Sequence, residues 1–129
     1  MILMKNVVIS LTIFIIMIII IAFSLNYLNK ATDELRRLND EIEQYINDSN
    51  WDKAYKSSIE YTEKWKNYSD KLKLYVDHQE MDQIEIELWK LPQYIKEKNK
   101  EESLACVHVL KFLVDHISEL EKVKIQNIL

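Results

Sequence analysis

The sequence contains no glycine, a single proline and a single cysteine, and each shortage excludes something. Tight β-hairpin turns, phosphate-cradling loops and dinucleotide fingerprints need backbone at positive φ or in close approach, which glycine supplies. A chain without it is expected to be all-α. The lone Cys106 rules out an internal disulfide framework, a thiolate zinc site and haem attachment through Cys-x-x-Cys-His. Excess basic charge is also missing: the net charge is −4, which argues against nucleic acid as a partner. The 129 residues allow one domain. Beyond the apolar head, roughly 100 residues remain, enough for one modest core.

That head, Val7 to Leu25, reads VVISLTIFIIMIIIIAFSL, an uncharged run close to the roughly 20 residues a helix needs to cross a bilayer. It exceeds the roughly 7 to 15 apolar residues of a usual signal peptide. An uncleaved anchor is therefore expected, although Ala22 and Ser24 offer a weak small-x-small cleavage site. The lipid bilayer is the first expected partner, through residues 7–25, with the anchor occupying 1–28 and a helical domain 29–129. Lys5 lies before the run, and Lys30, Arg36 and Arg37 beyond it. A short N-terminal tail normally stays inside, and long domains cross largely regardless of charge. The expected disposition is a single-pass cell-membrane protein with its C-terminal domain extracytoplasmic. A type IV pilin is excluded, because the run carries no glutamate and no glycine-rich sheet follows.

Past the head, apolar or small residues recur at alternating spacings of three and four, the seam of helices packed nearly antiparallel. The stripes are Leu28, Ala31, Leu35, Leu38, Ile42, Tyr45; then Trp51, Ala54, Ser58, Tyr61, Trp65, Tyr68, Leu72, Tyr75; then Met81, Ile84, Leu88, Leu91, Ile95; and Cys106, Leu110, Leu113, Ile117, Leu120. They predict helices over about 28–47, 50–77, 80–97 and 101–126, joined by short connections as an antiparallel up-down four-helix bundle. Asn47 to Asn50 supply turn and cap chemistry, Asp77 and His78 interrupt the second seam, and Asn99 or Ser103 caps the fourth helix. Pro92 should kink the third helix or restart it near Leu91.

An internal echo pairs Gln44-Tyr45-Ile46 and Asn50 with Gln93-Tyr94-Ile95 and Asn99, which suggests two related helical hairpins, although a heptad pattern with similar caps also repeats by chance. If the first bundle helix continues the anchor, the His78 corner and Ile125, Ile128 and Leu129 lie next to the membrane, and the Asp48 and Asn99 corners are distal. The second helix is expected to be the longest of the bundle. Its Tyr75 end then reaches the headgroup layer, where tyrosine is favoured.

The titratable residues of the membrane-facing end are His78, Glu80, Asp82, Glu85, His116, Glu119 and Glu121. An antiparallel hairpin turning near Asn99 sets His116 near Ile84 and Glu85, and Glu121 near His78. Histidines and carboxylates from facing helices are how bundles build metal sites, but the di-metal pattern requires paired Glu-x-x-His elements, which are lacking. The preferred reading is a structural or interaction cluster, with no metal, cofactor or catalytic residue. His108 is expected on an exposed flank. Cys106 sits on the core seam, unsuited to nucleophilic catalysis, and the serines lie in helices or caps. Most of the aromatic run from Trp51 to Tyr75 is expected in the core, with Tyr55 exposed.

Trp51-x-x-Ala54, Trp65, the segment Leu74 to Asp82 (LYVDHQEMD), Ile84-Glu85, the segment Leu110 to Glu121 (LKFLVDHISELE) and the closing Asn127-Ile128-Leu129 carry a resemblance over nearly the whole chain. The sequence resembles a group of small membrane-anchored helical proteins of unknown function from spore-forming low-GC Gram-positive bacteria. The resemblance implies one N-terminal membrane helix, a small helical domain and no assigned activity. Gene neighbours of such families imply a multi-pass membrane protein as partner. The expected function is a membrane-anchored, non-enzymatic accessory module docking on an integral membrane protein. The competing class is a metal- or ligand-binding sensor bundle using the His78, His116 and glutamate cluster.

Overall fold

The computed structural model describes residues 1–128, apart from the side chains of Ile125 and Ile128. The expectation that these two side chains and Leu129 lie beside the membrane falls outside the described residues. Four helices follow one another: α1 (Ile2–Asn47), α2 (Trp51–Leu72), α3 (His78–Lys96) and α4 (Lys100–Ile128). The apolar run and the first stripe form one uninterrupted helix of 46 residues. Its side chains are exposed up to Ile20, and from Leu28 onward they enter the core at spacings of three and four.

The bundle closes cyclically, α1 packing on α2 and α4, and α3 packing on α2 and α4. The four stripes form the core: Leu28, Leu35, Leu38, Ile42, Tyr61, Met81, Ile84, Leu91 and Leu110 are buried essentially completely. In α1 and α4 burial extends one position beyond the seam, to Ile46, Val107 and Val114, because a bundle helix faces two neighbours and needs a wider apolar face than a two-stranded coil. Polar side chains share this interior. Thr32 donates to the Leu28 carbonyl at 3.0 Å and Ser58 to that of Tyr55 at 2.7 Å. Asn39 and Tyr61, both fully buried, face each other between α1 and α2 without a well-formed hydrogen bond.

The echo noted in the sequence is one turn built twice. After α1, the N–H of Ser49 donates to the Ile46 carbonyl and that of Asn50 to Tyr45; after α3, Lys98 donates to Ile95 and Asn99 to Tyr94. This is the Schellman closure, with a left-handed residue satisfying the last carbonyls of the helix. Ser49 and Lys98 both have φ of 57°, so the chain makes the turn without glycine. Each following asparagine then caps the next helix: Asn50 Oδ1 accepts from Lys53 N–H at 3.4 Å, and Asn99 Oδ1 from Glu102 N–H at 3.2 Å.

The third connection is different and corrects an expected boundary. Helix α2 ends at Leu72 instead of near Asp77, and α3 starts at His78. With 22 residues, α2 is shorter than the 29-residue α4, so it is not the longest helix of the bundle. Tyr75 and Val76 leave the helix and fold back, Val76 into the core, and Asp77 caps α3 through the Gln79 N–H at 3.1 Å. Helix α3 runs through Pro92 without restarting at Leu91. The imino nitrogen merely leaves the Leu88 carbonyl without its helical donor.

Candidate functional site

The end of the bundle beside the apolar run is built from α1, the α2–α3 turn and the last turns of α4. The Tyr75 hydroxyl donates to the Ser24 carbonyl at 3.3 Å, fastening the turn to the last turn of the apolar run. Burial, reinforced by Tyr27 and Glu121, pushes that hydroxyl up to about 12. Glu121 is itself buried and pairs with Lys124 at 3.2 Å. Between them lies a groove of about 270 Å³, walled by Ile20, Ile21, Leu25 and Leu28 on one side and by Tyr75, Glu121 and Lys124 on the other.

One turn further into the bundle stand two more tyrosines. Tyr27 meets Tyr68 edge to face, with centroids 5.7 Å apart, and Lys71 Nζ lies 5.2 Å from the centre of the Tyr27 ring. The Tyr68 hydroxyl donates to the Glu34 carboxylate, which also pairs with Lys64 at 3.1 Å. Burial and the facing Glu34 push Tyr68 up to about 12, while the hydrogen bonds from Tyr68 and Lys64 hold Glu34 below the usual carboxylate range.

The residues singled out from the sequence share this half of the bundle without forming one cluster. His116 Nε2 lies 3.6 Å from Glu80 Oε1, beyond hydrogen-bond distance but within ion-pair reach. Its ring stacks on Phe112, at 5.7 Å and an interplanar angle of 10°. The other Glu80 oxygen is buried without a hydrogen-bond partner. The expected neighbours of His116, Ile84 and Glu85, are thus displaced by about one turn. The reason is that α3 turns into α4 about the left-handed Lys98, one residue before Asn99, which sets His116 against a position nearer the start of α3.

Asp82 and Glu85 lie instead on the outer side of α3 with Ile86, Trp89 and Lys90. Glu121 pairs with Lys124 beside Tyr75, not with His78, which is exposed at the first position of α3, and Glu119 is exposed on α4. Among the described residues no group of three or more histidine, cysteine, aspartate and glutamate side chains is placed to hold a metal ion.

Over residues 22–128 the sequence matches a family described as a domain of unknown function, DUF4363. The chain belongs to this family. No curated protein and no solved structure matches it. The DUF4363 match starts at Ala22, so Ser24, whose carbonyl Tyr75 grips, falls within the family's domain.

Sequence reading missed three features of this DUF4363 domain. The first is a ladder of polar pairs between α1 and α4: the ion pairs of Arg36 with Asp115 and of Asp40 with Lys111 at 3.4 Å, and the hydrogen-bond contact of Glu43 with His108 at 3.0 Å. Its signal was available, since the two helices carry these charges at mirrored spacings, but only once α1 and α4 are taken as neighbours. The second is the exposure of Trp89 (81 %) and Phe112 (65 %). The third is the bond from Cys106 Sγ to Glu87 Oε2 at 3.0 Å; burial and Glu87 push the thiol well up, which makes it a poor nucleophile.

Proposed function

We propose that this chain is a single-pass membrane protein whose bundle is a non-enzymatic accessory module, docking on an integral membrane neighbour. The observation that carries the reading is the unbroken α1. The apolar run and the first bundle helix are one rod, braced by the Tyr75 to Ser24 bond. None of the apolar window is buried within the protein, and its length suits a bilayer crossing. A bundle held on such a rod keeps one height and one orientation above the membrane, so what it meets is another membrane protein. The domain lies on the extracytoplasmic side in this reading. The docking face is that of α3 and α4 bearing His78, Phe112 and His116, where an exposed aromatic ring stacks on a half-exposed histidine. Aromatic residues of this kind anchor protein interfaces.

The test is photocrosslinking in native membranes with benzoylphenylalanine at Phe112, a substitution that keeps the aromatic ring. One adduct to an integral membrane protein, weakened by His78→Ala with His116→Ala, is expected. Absence of any adduct, or an adduct indifferent to both histidines, overturns the proposed docking face.

A further inference from the structure

The three turns of the bundle differ in chemistry according to the end they occupy. The two at the far end read Asn47-Asp48-Ser49-Asn50 and Glu97-Lys98-Asn99, wholly polar, as turns in water are. The turn at the near end reads Lys73-Leu74-Tyr75-Val76-Asp77, with Asp77 taken up in capping α3. Val76 is buried and Tyr75 half-buried, but Leu74 is 84 % exposed, and Lys71 and Lys73 beside it are exposed too. An exposed leucine between a lysine and a tyrosine is the composition of a segment that meets a lipid surface, where a lysine stem lies along apolar matter and its charge reaches the phosphates.

The height of this turn is set by a bond. Tyr75 grips the carbonyl of Ser24, in the last turn of the apolar run. From Val7 to Leu25 that run is roughly 28 Å long at about 1.5 Å per residue, close to the hydrocarbon thickness of about 30 Å. With the run across a bilayer, Ser24 stands at the boundary between acyl chains and headgroups, and the turn is held there. Three tyrosines, Tyr27, Tyr68 and Tyr75, gather at the same end, the placement in which amphipathic rings form interfacial belts. The groove between Tyr75 and Ile20 opens on the same boundary.

We propose that the α2–α3 turn is a lipid contact: Leu74 enters the headgroup–acyl boundary of the leaflet that the apolar run leaves, with Lys73 directed to lipid phosphates. This rests on the membrane anchoring proposed above. It adds a second attachment, so that the bundle lies on the bilayer instead of standing off it.

The full-length chain carrying Leu74→Cys, labelled with nitrobenzoxadiazole and reconstituted in phosphatidylcholine vesicles doped with phosphatidylglycerol, tests this directly. Leu74 is exposed, so the variant spares the core, and the buried Cys106 stays in place, with the parent chain reporting any stray labelling. Matched labels at Ile20→Cys and Glu97→Cys mark the apolar run and the far end. The expected result is a blue-shifted emission at position 74, lost in large part when lipids nitroxide-labelled near the headgroup are included, and no quenching at position 97.

Quenching at position 20 but not at 74 overturns the lipid contact and leaves the anchor standing. No quenching at 20, with failure to float with the vesicles, overturns the anchor and the contact together. An unquenched position 74 that crosslinks to a protein in native membranes replaces the lipid by a protein neighbour and also overturns the proposal.

Discussion

Glu34 joins α1 to α2 near the tyrosine cluster, and its chemistry predicts a pH dependence. Hydrogen bonds from Tyr68 and Lys64 hold its carboxyl below the ordinary value of 4.5. A carboxylate with a depressed folded pKa adds stability that is complete above the unfolded value and disappears as pH falls through the folded one. Glu34→Gln is therefore expected to lower stability near neutral pH by on the order of 1 kcal/mol, since the pair is partly exposed, and to lose less between about pH 5 and about pH 3 than the parent chain. Urea unfolding of the full chain in detergent checks this, and parallel pH profiles refute it. At this scale the sequence was readable where residues are apolar: Leu28, Leu35, Met81, Ile84 and Leu110 announce burial by spacing alone. It was silent for Asn39, fully buried, and for Trp89, exposed one residue beyond buried Leu88, because burial off the seam depends on which neighbour a helix face meets.

The hairpin turns show what glycine's absence does and does not exclude. The repeated Gln-Tyr-Ile segments marked both turns, but not that Ser49 and Lys98 adopt φ of 57°, a conformation that costs an L-residue with a side chain roughly 1–2 kcal/mol. Lys98→Gly removes that strain and adds glycine's entropy in the unfolded chain, so a net gain of about 0.5–1 kcal/mol is expected. Ser49→Gly should give a similar and additive gain, since the two turns share no partner. Chemical denaturation of the single and double variants decides it, and an unchanged or lower midpoint shows the positive φ to be unstrained. The second helix was over-extended for a related reason. Its stripe continues through Leu72 and Tyr75, yet the backbone leaves the helix at Leu72, and Tyr75 reaches its partner from a turn. Periodicity records which residues are buried, not the backbone that brings them there.

For the whole molecule, the sequence disclosed four bundle helices and left the continuity of the first with the apolar run as a condition, while the closing pair of α1 and α4 meets along the ladder from Arg36 to Glu43. The candidate site was legible as residues and not as an assembly: His116 found Glu80, Glu121 found Lys124, and His78 faces solvent. Labelling decides on which side of the membrane the bundle lies in the proposed single-pass reading. Asn99 caps α4 through Glu102, so replacing it costs about 1 kcal/mol. Exposed Glu97, at the same far corner, is the better site. Burial, and after it Glu87, pushes the Cys106 thiol up, so the parent chain is expected to stay unlabelled by a membrane-impermeant maleimide in intact cells, whereas Glu97→Cys is labelled. Protection of Glu97→Cys until the cells are lysed instead places the bundle in the cytoplasm. The basic residues Lys30, Arg36 and Arg37 then retain the domain by their charge, the polarity of the proposed anchor reverses, and the docking partner is to be sought on the cytoplasmic face.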